Sequence, residues 1–282
     1  MDFSKFGSPA AFFTERRKNA DPGQPLPGGF VLSDYKIERI LHRGGMSWVY
    51  RARDNRGTPV VLKEFFPHRS AFRNEHGVVP RSDRESYFEE GFRRFHEEGR
   101  LLGLFRGGPF LRTRQFFYDN NTGYLVLELE RGRTLASYIR IPRQYRHWSI
   151  AKPFVGDVWQ GLCRMHDQKI LHLDIHPGNI FLSLQGKGLL LDFGASRHMA
   201  EPAINDSRFF TQGFSAPEIH RLGKLGPWTD VYSFGACLKA CGALRNPLWP
   251  AEVRELTLSC LREQPSERPQ SFSDGCFQRL LS

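Results

Sequence analysis

The 282-residue sequence predicts an α+β chain of two lobes, a small β-rich N-terminal lobe with one main helix and a mainly helical C-terminal lobe. Three observations lead there. From Tyr35 the pattern is one of short apolar strands broken by glycines, as a small sheet requires. Leu101, Leu102 and Phe105 then recur at helical spacing behind Glu97-Glu98, giving one helix an apolar face to lay on that sheet. Motifs able to carry chemistry follow one another over about 150 residues, a spread that suits one two-lobed unit better than two independent domains.

Composition narrows the function. Residues 1–32 contain Pro9, Pro22, Pro25, Pro27 and paired glycines without a sustained period, so a flexible leader is expected there. Its Phe3, Phe6, Phe12 and Phe13 offer the alternative of docking on a lobe or a partner. No apolar run approaches the roughly 18–20 residues that span a membrane, and the N-terminus lacks the pattern of a secretory signal. A cytoplasmic protein with no membrane association is expected, although specialised secretion leaves no readable signal. The five cysteines, at 163, 237, 241, 260 and 276, lie mostly in apolar helical contexts and complete no zinc pattern, so they read as reduced core thiols. Lys and Arg total 40 against 30 acidic residues, a net charge of +10. The basic clusters Arg16-Arg17-Lys18, Arg93-Arg94 and 131–146 read as solvated faces. Nucleic acid is not the expected partner, and an acidic protein partner or substrate fits the charge better.

The elements follow in order. Ile40 to Tyr50 reads Ile-Leu-His-Arg-Gly-Gly-Met-Ser-Trp-Val-Tyr, a stretch that holds Gly44, Gly45 and Val49. Val60-Val61-Leu62-Lys63 is a buried strand ending in a lysine. A long segment, Glu64-Phe65-Phe66-Pro67 through Asp83, separates it from the helix that holds Glu97 and Glu98. Tyr124 to Glu130 is an apolar strand running into a polar stop. His172-Leu173-Asp174-Ile175-His176-Pro177-Gly178-Asn179 comes next, and eighteen residues beyond Asp174 stands Asp192-Phe193-Gly194. Ala216-Pro217-Glu218, Asp230 and Arg268 close the series.

In this order the motifs resemble the protein-kinase family. The long segment after Lys63, with the Lys-Glu-Phe-Phe-Pro and Gly-Gly-Met-Ser stretches, is similar to the bacterial Hanks-type serine/threonine kinases. The resemblance implies a kinase-like bilobal fold with an N-lobe over 33–127, a hinge over 128–132 and a C-lobe over 133–282. It also implies transfer of the γ-phosphate of ATP to protein hydroxyls. Such transfer leaves the protein to position a nucleophile, hold metal-bound phosphates and offset transition-state charge. Asp174 is then the base that orients and deprotonates the hydroxyl. Asn179 and Asp192 supply oxygens to Mg²⁺, with Mn²⁺ as an alternative. Lys63 holds the α and β phosphates and is steadied by a helix glutamate, Glu98 in preference to Glu97. Gly44 and Gly45 cover the phosphates. Adenine meets backbone at Glu128, Leu129 and Glu130, with Val49 and Val61 above, Phe181 below and Leu127 as gatekeeper. Val61 stands in place of the family's usual alanine and implies a narrower slot. Glu218 and Arg268 match a structural ion pair, whose breaking costs about 3–5 kcal/mol when one charge is left buried alone. Asp230 matches the residue that anchors the catalytic loop from below.

Several residues depart from the family pattern. Leu173 replaces the arginine that receives an activation-segment phosphate, so constitutive activity is expected even though Ser207 occupies a phosphosite position. His176 replaces a lysine that contacts the transferred phosphate. Asp-x-His-x-x-Asn also occurs in kinase-like small-molecule phosphotransferases, which are one alternative. Against them stand Ala216-Pro217-Glu218, its distant arginine, and Thr211 at the substrate-site position. His42 and Ser47 take two of the three usual glycine positions, which adds a nucleotide-binding pseudokinase scaffold as a second alternative. Only 38 residues separate Asp230 from Arg268, so the C-lobe is shortened, and 246–250 could present Trp249 to a docking partner or use it to plug the lobe.

Overall fold

A computed structural model describes residues 23–142, 144, 146–201 and 211–273. The described residues divide into two compact units, one of residues 23–106 and 111–130, the other of 107–110 and those from 131 on.

The first unit begins with β1 (Val31–Leu32), β2 (Tyr35–Arg43), β3 (Ser47–Asp54) and β4 (Pro59–Phe65). The hairpin β5 (Ala71–Asn74) and β6 (Gly77–Pro80), the helix α1 (Glu85–Leu104), β7 (Thr113–Asp119) and β8 (Thr122–Glu128) complete it. Six of the strands form one antiparallel sheet in the order β1-β2-β3-β4-β8-β7. Asn120 and Asn121, both at φ +54°, make the tight β7–β8 turn, a conformation asparagine tolerates better than most residues.

Alternation along the strands sorts two faces. Tyr50, Ala52, Val60, Leu62, Tyr124 and Val126 form one face and its core. Val49, Lys63 and Leu125 stand opposite one another across three strands on the other face, as do Val61 and Leu127. Helix α1 covers part of that second face with Phe92, Phe95, Glu98, Gly99 and Leu102, a spacing of three to four residues. Gly99 is required by contact, since a Cβ there would lie 2.8 Å from the Phe116 ring.

The first face explains two departures from expectation. Leu26, expected within a flexible leader ending at 32, is buried, and its N–H donates to the Tyr50 hydroxyl at 3.0 Å. Leu26 and Phe30 thus pack on the sheet's core ahead of β1, and the ordered lobe starts before residue 33. The long segment after Lys63 is the β5–β6 hairpin, and its Arg73 reaches the sheet to bond Glu64 at 2.8 and 3.0 Å. Both side chains are fully buried, and Glu64 also accepts from Tyr50 and Tyr124. Burial, then the charge of Glu64, pushes both phenols far above their usual range and keeps them neutral donors.

The second unit contains β9 (Gly132–Thr134), α2 (Leu135–Tyr138), α3 (Trp148–Asp167), β10 (Ile170–Leu171), β11 (Ile180–Ser183) and β12 (Gly188–Leu190). After them come β13 (Arg197–His198), α4 (Pro217–His220), α5 (Pro227–Cys241) and α6 (Ala251–Cys260). Residues 107–110, expected in the N-lobe, belong to this unit. Leu190 N–H donates to the Pro109 carbonyl at 2.8 Å, Arg164 bonds the Gly107 carbonyl, and Phe110 packs against Phe193. Of the expected hinge, Glu128 closes β8 and Gly132 opens β9.

Helix α5 ends at Gly242, whose φ of +114° suits a helix C-terminus that only glycine adopts cheaply. Turns fill 242–250 and lead directly into α6. Trp249 is 3% exposed, donates from Nε1 to the Arg146 carbonyl at 2.9 Å and packs on Trp148. Asn246 donates to the same carbonyl, and Arg146 bonds the last carbonyls of α5. The indole therefore plugs the shortened lobe and is not itself a docking surface; the exposed neighbour is Leu248. Cys163, Cys237 and Cys241 carry free thiols, and burial raises the pKa of Cys237 and Cys241. Cys276 lies outside the described residues, as do Ser207 and the four leader phenylalanines. No helix among the described residues is long and apolar enough to cross a membrane.

Candidate active site

In the first unit β4 presents Lys63 on the face that α1 covers. Its Nζ lies 2.7 and 2.9 Å from the two Glu98 oxygens, with side chains 13% and 4% exposed. Glu97 points elsewhere and pairs with Arg100 in the open. An ammonium gripped by both carboxylate oxygens is held in place by charge-assisted hydrogen bonds.

The turn joining β2 to β3 holds Gly44 and Gly45. Gly44 N–H donates to the Ser47 carbonyl at 2.9 Å, and Arg43 and Trp48 pair as the last ladder residues before the turn. Val49, Val61 and Leu127 lie on the α1 face beside Lys63, with Leu127 buried and the two valines half-buried. Glu128 ends β8 with its N–H on the Arg112 carbonyl, and beyond it Leu129 and Glu130 leave the sheet.

In the second unit a loop from His172 to Asn179 joins β10 to β11. It is fastened from below by Asp230, which accepts from the backbone of His172 at 2.8 Å and of Leu173 at 2.9 Å. Its Oδ2 also lies 2.8 Å from His166 Nε2. Burial opposes ionisation of Asp230, but these donors outweigh it and hold the carboxyl below its ordinary range. His172 is fully buried; burial lowers its pKa, leaving a neutral ring that spans from the Asp174 N–H to the Leu191 carbonyl.

The Asp174 carboxylate is held on both oxygens. Asn179 Nδ2 donates to Oδ2 at 3.0 Å, and the Thr211 hydroxyl donates to Oδ1 at 2.8 Å. His176 accepts the Gly178 N–H on Nδ1 at 3.1 Å, which leaves the proton of the neutral ring on Nε2, 3.6 Å from Asp174 Oδ2. Strands β11 and β12 bring Asn179 and Asp192 towards each other, since Leu191 N–H donates to the Asn179 carbonyl. Asp192 sits at φ +56° and Leu173 at +66°, left-handed values that cost free energy and cluster at functional loops.

The Asn179 amide nitrogen donates to Asp174, so the amide oxygen is turned away from that carboxylate. With the Asp192 carboxylate that gives two hard oxygen donors, a set that fits Mg²⁺ when phosphates and water supply the rest. No cluster of three or more His, Cys, Asp or Glu able to hold a metal occurs among the described residues, so the two donors do not form a closed metal cage.

Phe181 on β11 opposes Thr134 of β9, and Gly132 permits that pairing, because a Cβ there would lie 2.0 Å from the Leu182 carbonyl. Glu218 and Arg268 form a buried bidentate pair at 2.8 and 3.0 Å. Two features escaped the sequence-based expectation. One is the Glu64–Arg73 network, whose only sequence signal is an acid inside an apolar strand. The other is a set of apolar residues around Leu173, namely Leu171, Ala195, Met199 and Leu225, which fills the place where a phosphate-binding arginine was missing.

Comparison with known proteins fixes the class. The model of the protein kinase domain matches residues 35–278, so this chain belongs to the protein kinase domain family. It is 25% identical over 287 residues to the serine/threonine-protein kinase D1044.8 of Caenorhabditis elegans, covering 89% of this chain and 28% of that protein. It is also 29% identical over 217 residues to serine/threonine-protein kinase PknL of Mycobacterium tuberculosis, covering 75% of this chain and 49% of PknL. The chain thus spans between a quarter and half of the length of these relatives. A solved structure titled PpkA-294 apo form shares the fold, with a TM-score of 0.81, 24% identity, and coverage of 92% of this chain and 99% of that one.

Proposed function

We propose that this chain is a serine/threonine protein kinase that transfers the γ-phosphate of ATP to protein hydroxyls. The observation that carries the proposal is the Asp174 carboxylate, oriented by Asn179 on one oxygen and bonded by the Thr211 hydroxyl on the other. A carboxylate held that way is ready to accept a proton from a hydroxyl nucleophile. Asn179 and Asp192 would hold Mg²⁺, or Mn²⁺, whose charge offsets that of the phosphates. Lys63, steadied by Glu98, takes phosphate oxygens, and Gly44 and Gly45 let backbone approach them. His176 directs its Nε2–H towards the Asp174 side of the loop. Within the first unit Val49, Val61, Leu127 and the backbone of Glu128, Leu129 and Glu130 serve adenine, and within the second Phe181 does so.

We further infer a bacterial, cytoplasmic protein with an acidic protein substrate. The substrate inference is supported by exposed Arg131, Arg133 and Arg140, on and beside β9 and α2, where Ala136 N–H bonds the Pro177 carbonyl of the catalytic loop. Partner docking near Trp249 would fall to Leu248. Nothing observed favours a small-molecule phosphotransferase or a scaffold.

The test is transfer of labelled γ-phosphate from Mg²⁺-ATP by the purified chain to itself and to generic protein acceptors, beside Asp174→Asn. Label on serine or threonine, reduced by about 10²–10⁴-fold in the variant, is expected. ATP binding without label would support the scaffold, and ATP consumed only with a small acceptor would support the small-molecule phosphotransferase.

A further inference from the structure

We propose that Met46 is a positioning residue that latches the glycine-bearing turn onto α1 through a notch left by Gly91. The main chain of the turn is tied first, since Phe66 N–H donates to the Met46 carbonyl at 2.8 Å. The side chain then enters α1. The Tyr87 hydroxyl contacts Met46 Sδ at 3.6 Å, and a Cβ built on Gly91 would stand 2.6 Å from Met46 Cε. Tyr87, Gly91 and Glu98 are four and seven residues apart, which puts them along one side of the helix. One helix side therefore holds the turn through Met46 and Lys63 through Glu98.

A second set of contacts braces the turn from the insert side. His68 Nε2 lies 3.4 Å from the Ser47 carbonyl, its ring packs edge-on against Trp48, and the Arg43 guanidinium lies 5.3 Å from the centre of the same indole ring. His42 and Ser47 lack glycine's freedom, so the turn gains its order from these fixtures. Methionine suits the notch because its unbranched thioether adapts to an irregular gap. A turn held in place before nucleotide arrives spares the ordering cost at binding, so the latch acts on nucleotide affinity and leaves the nucleophile alone.

This inference rests on the kinase function proposed above and predicts where its signal lies. Gly91→Ala adds a methyl that displaces the flexible end of Met46, with Phe65 yielding slightly at 3.1 Å. Gly91→Ala, Met46→Ala and the double variant would be compared in the full chain for KM of Mg²⁺-ATP, kcat, melting temperature and affinity for a fluorescent ATP analogue. Each single variant should raise KM and the analogue's Kd by roughly 5–10-fold with kcat within about twofold. The double variant should be no worse than Met46→Ala, because the two act through one contact. Met46→Leu, which keeps apolar bulk, should recover part of the loss. Unchanged KM and Kd in both single variants, multiplicative effects in the double, or a loss explained by a fallen melting temperature alone would each overturn the latch. If the unmodified chain transfers no phosphate, the functional proposal fails, while the analogue's Kd still decides the latch.

Discussion

Lys63 and Glu98 show how much one side-chain pair can set. The Lys63 side chain is only 13% exposed, and a lone charge withdrawn from water is costly, so its position depends on the carboxylate that compensates it. Glu98→Gln keeps the shape but removes the charge. It should lower kcat/KM for ATP by about 10–100-fold while Glu97→Gln, which loses its pair with the exposed Arg100, changes it by less than about twofold; steady-state kinetics on both variants decides this. The choice between the two glutamates was legible in the sequence because Leu101, Leu102 and Phe105 fix which side of the helix faces inward. The partners of Asp174 were legible only as motif letters. That Asn179 uses its nitrogen on Asp174 and turns its oxygen away from that carboxylate is a matter of rotamer and loop closure, which residue order does not encode. Neither does residue order tell that Met46 meets Gly91, a contact made across a sheet and a helix.

Among elements, the α5–α6 connection carries the clearest consequence. A short link with no helix of its own must still close the lobe, and it does so by burying Trp249 and Asn246 on the Arg146 carbonyl. Trp249→Ala should destabilise the chain by about 3–5 kcal/mol, chiefly through the cavity, because Asn246 still donates to the Arg146 carbonyl. Thermal or denaturant unfolding measures that, and an unchanged midpoint with weakened partner binding would return Trp249 to a docking role. The shortening was visible as a residue count, but plug and exposed anchor have the same sequence; only the fold of 242–250 separates them. The strands and α1 were legible because alternation and helical spacing are local. The pairing of the β5–β6 hairpin with Glu64, and the membership of 107–110 in the second unit, depend on contacts that spacing does not specify.

For the whole molecule, one buried and two half-buried histidines contribute to the response to acid. Burial lowers the pKa of His172, His68 and His96 from the ordinary 6.5. The unfolded chain takes up protons near pH 6.5 while the folded chain does so only at lower pH, so acidification favours unfolding. The melting temperature should hold above about pH 7 and fall as pH drops below 6.5; a flat or rising profile between pH 7.5 and 5.5 would contradict this. The net charge of +10 adds self-repulsion of the same sign as further protons bind. Strand β4 has a bearing on engineering. Lys63 and Glu64 are neighbours on opposite faces, and each is neutralised by a residue from a different element, α1 on one side and the β5–β6 hairpin on the other. Anyone shortening this chain by cutting out the hairpin would strand a wholly buried carboxylate one residue from Lys63. A shorter version must replace Glu64 with an apolar residue in the same step, and find new partners for Tyr50 and Tyr124 as well.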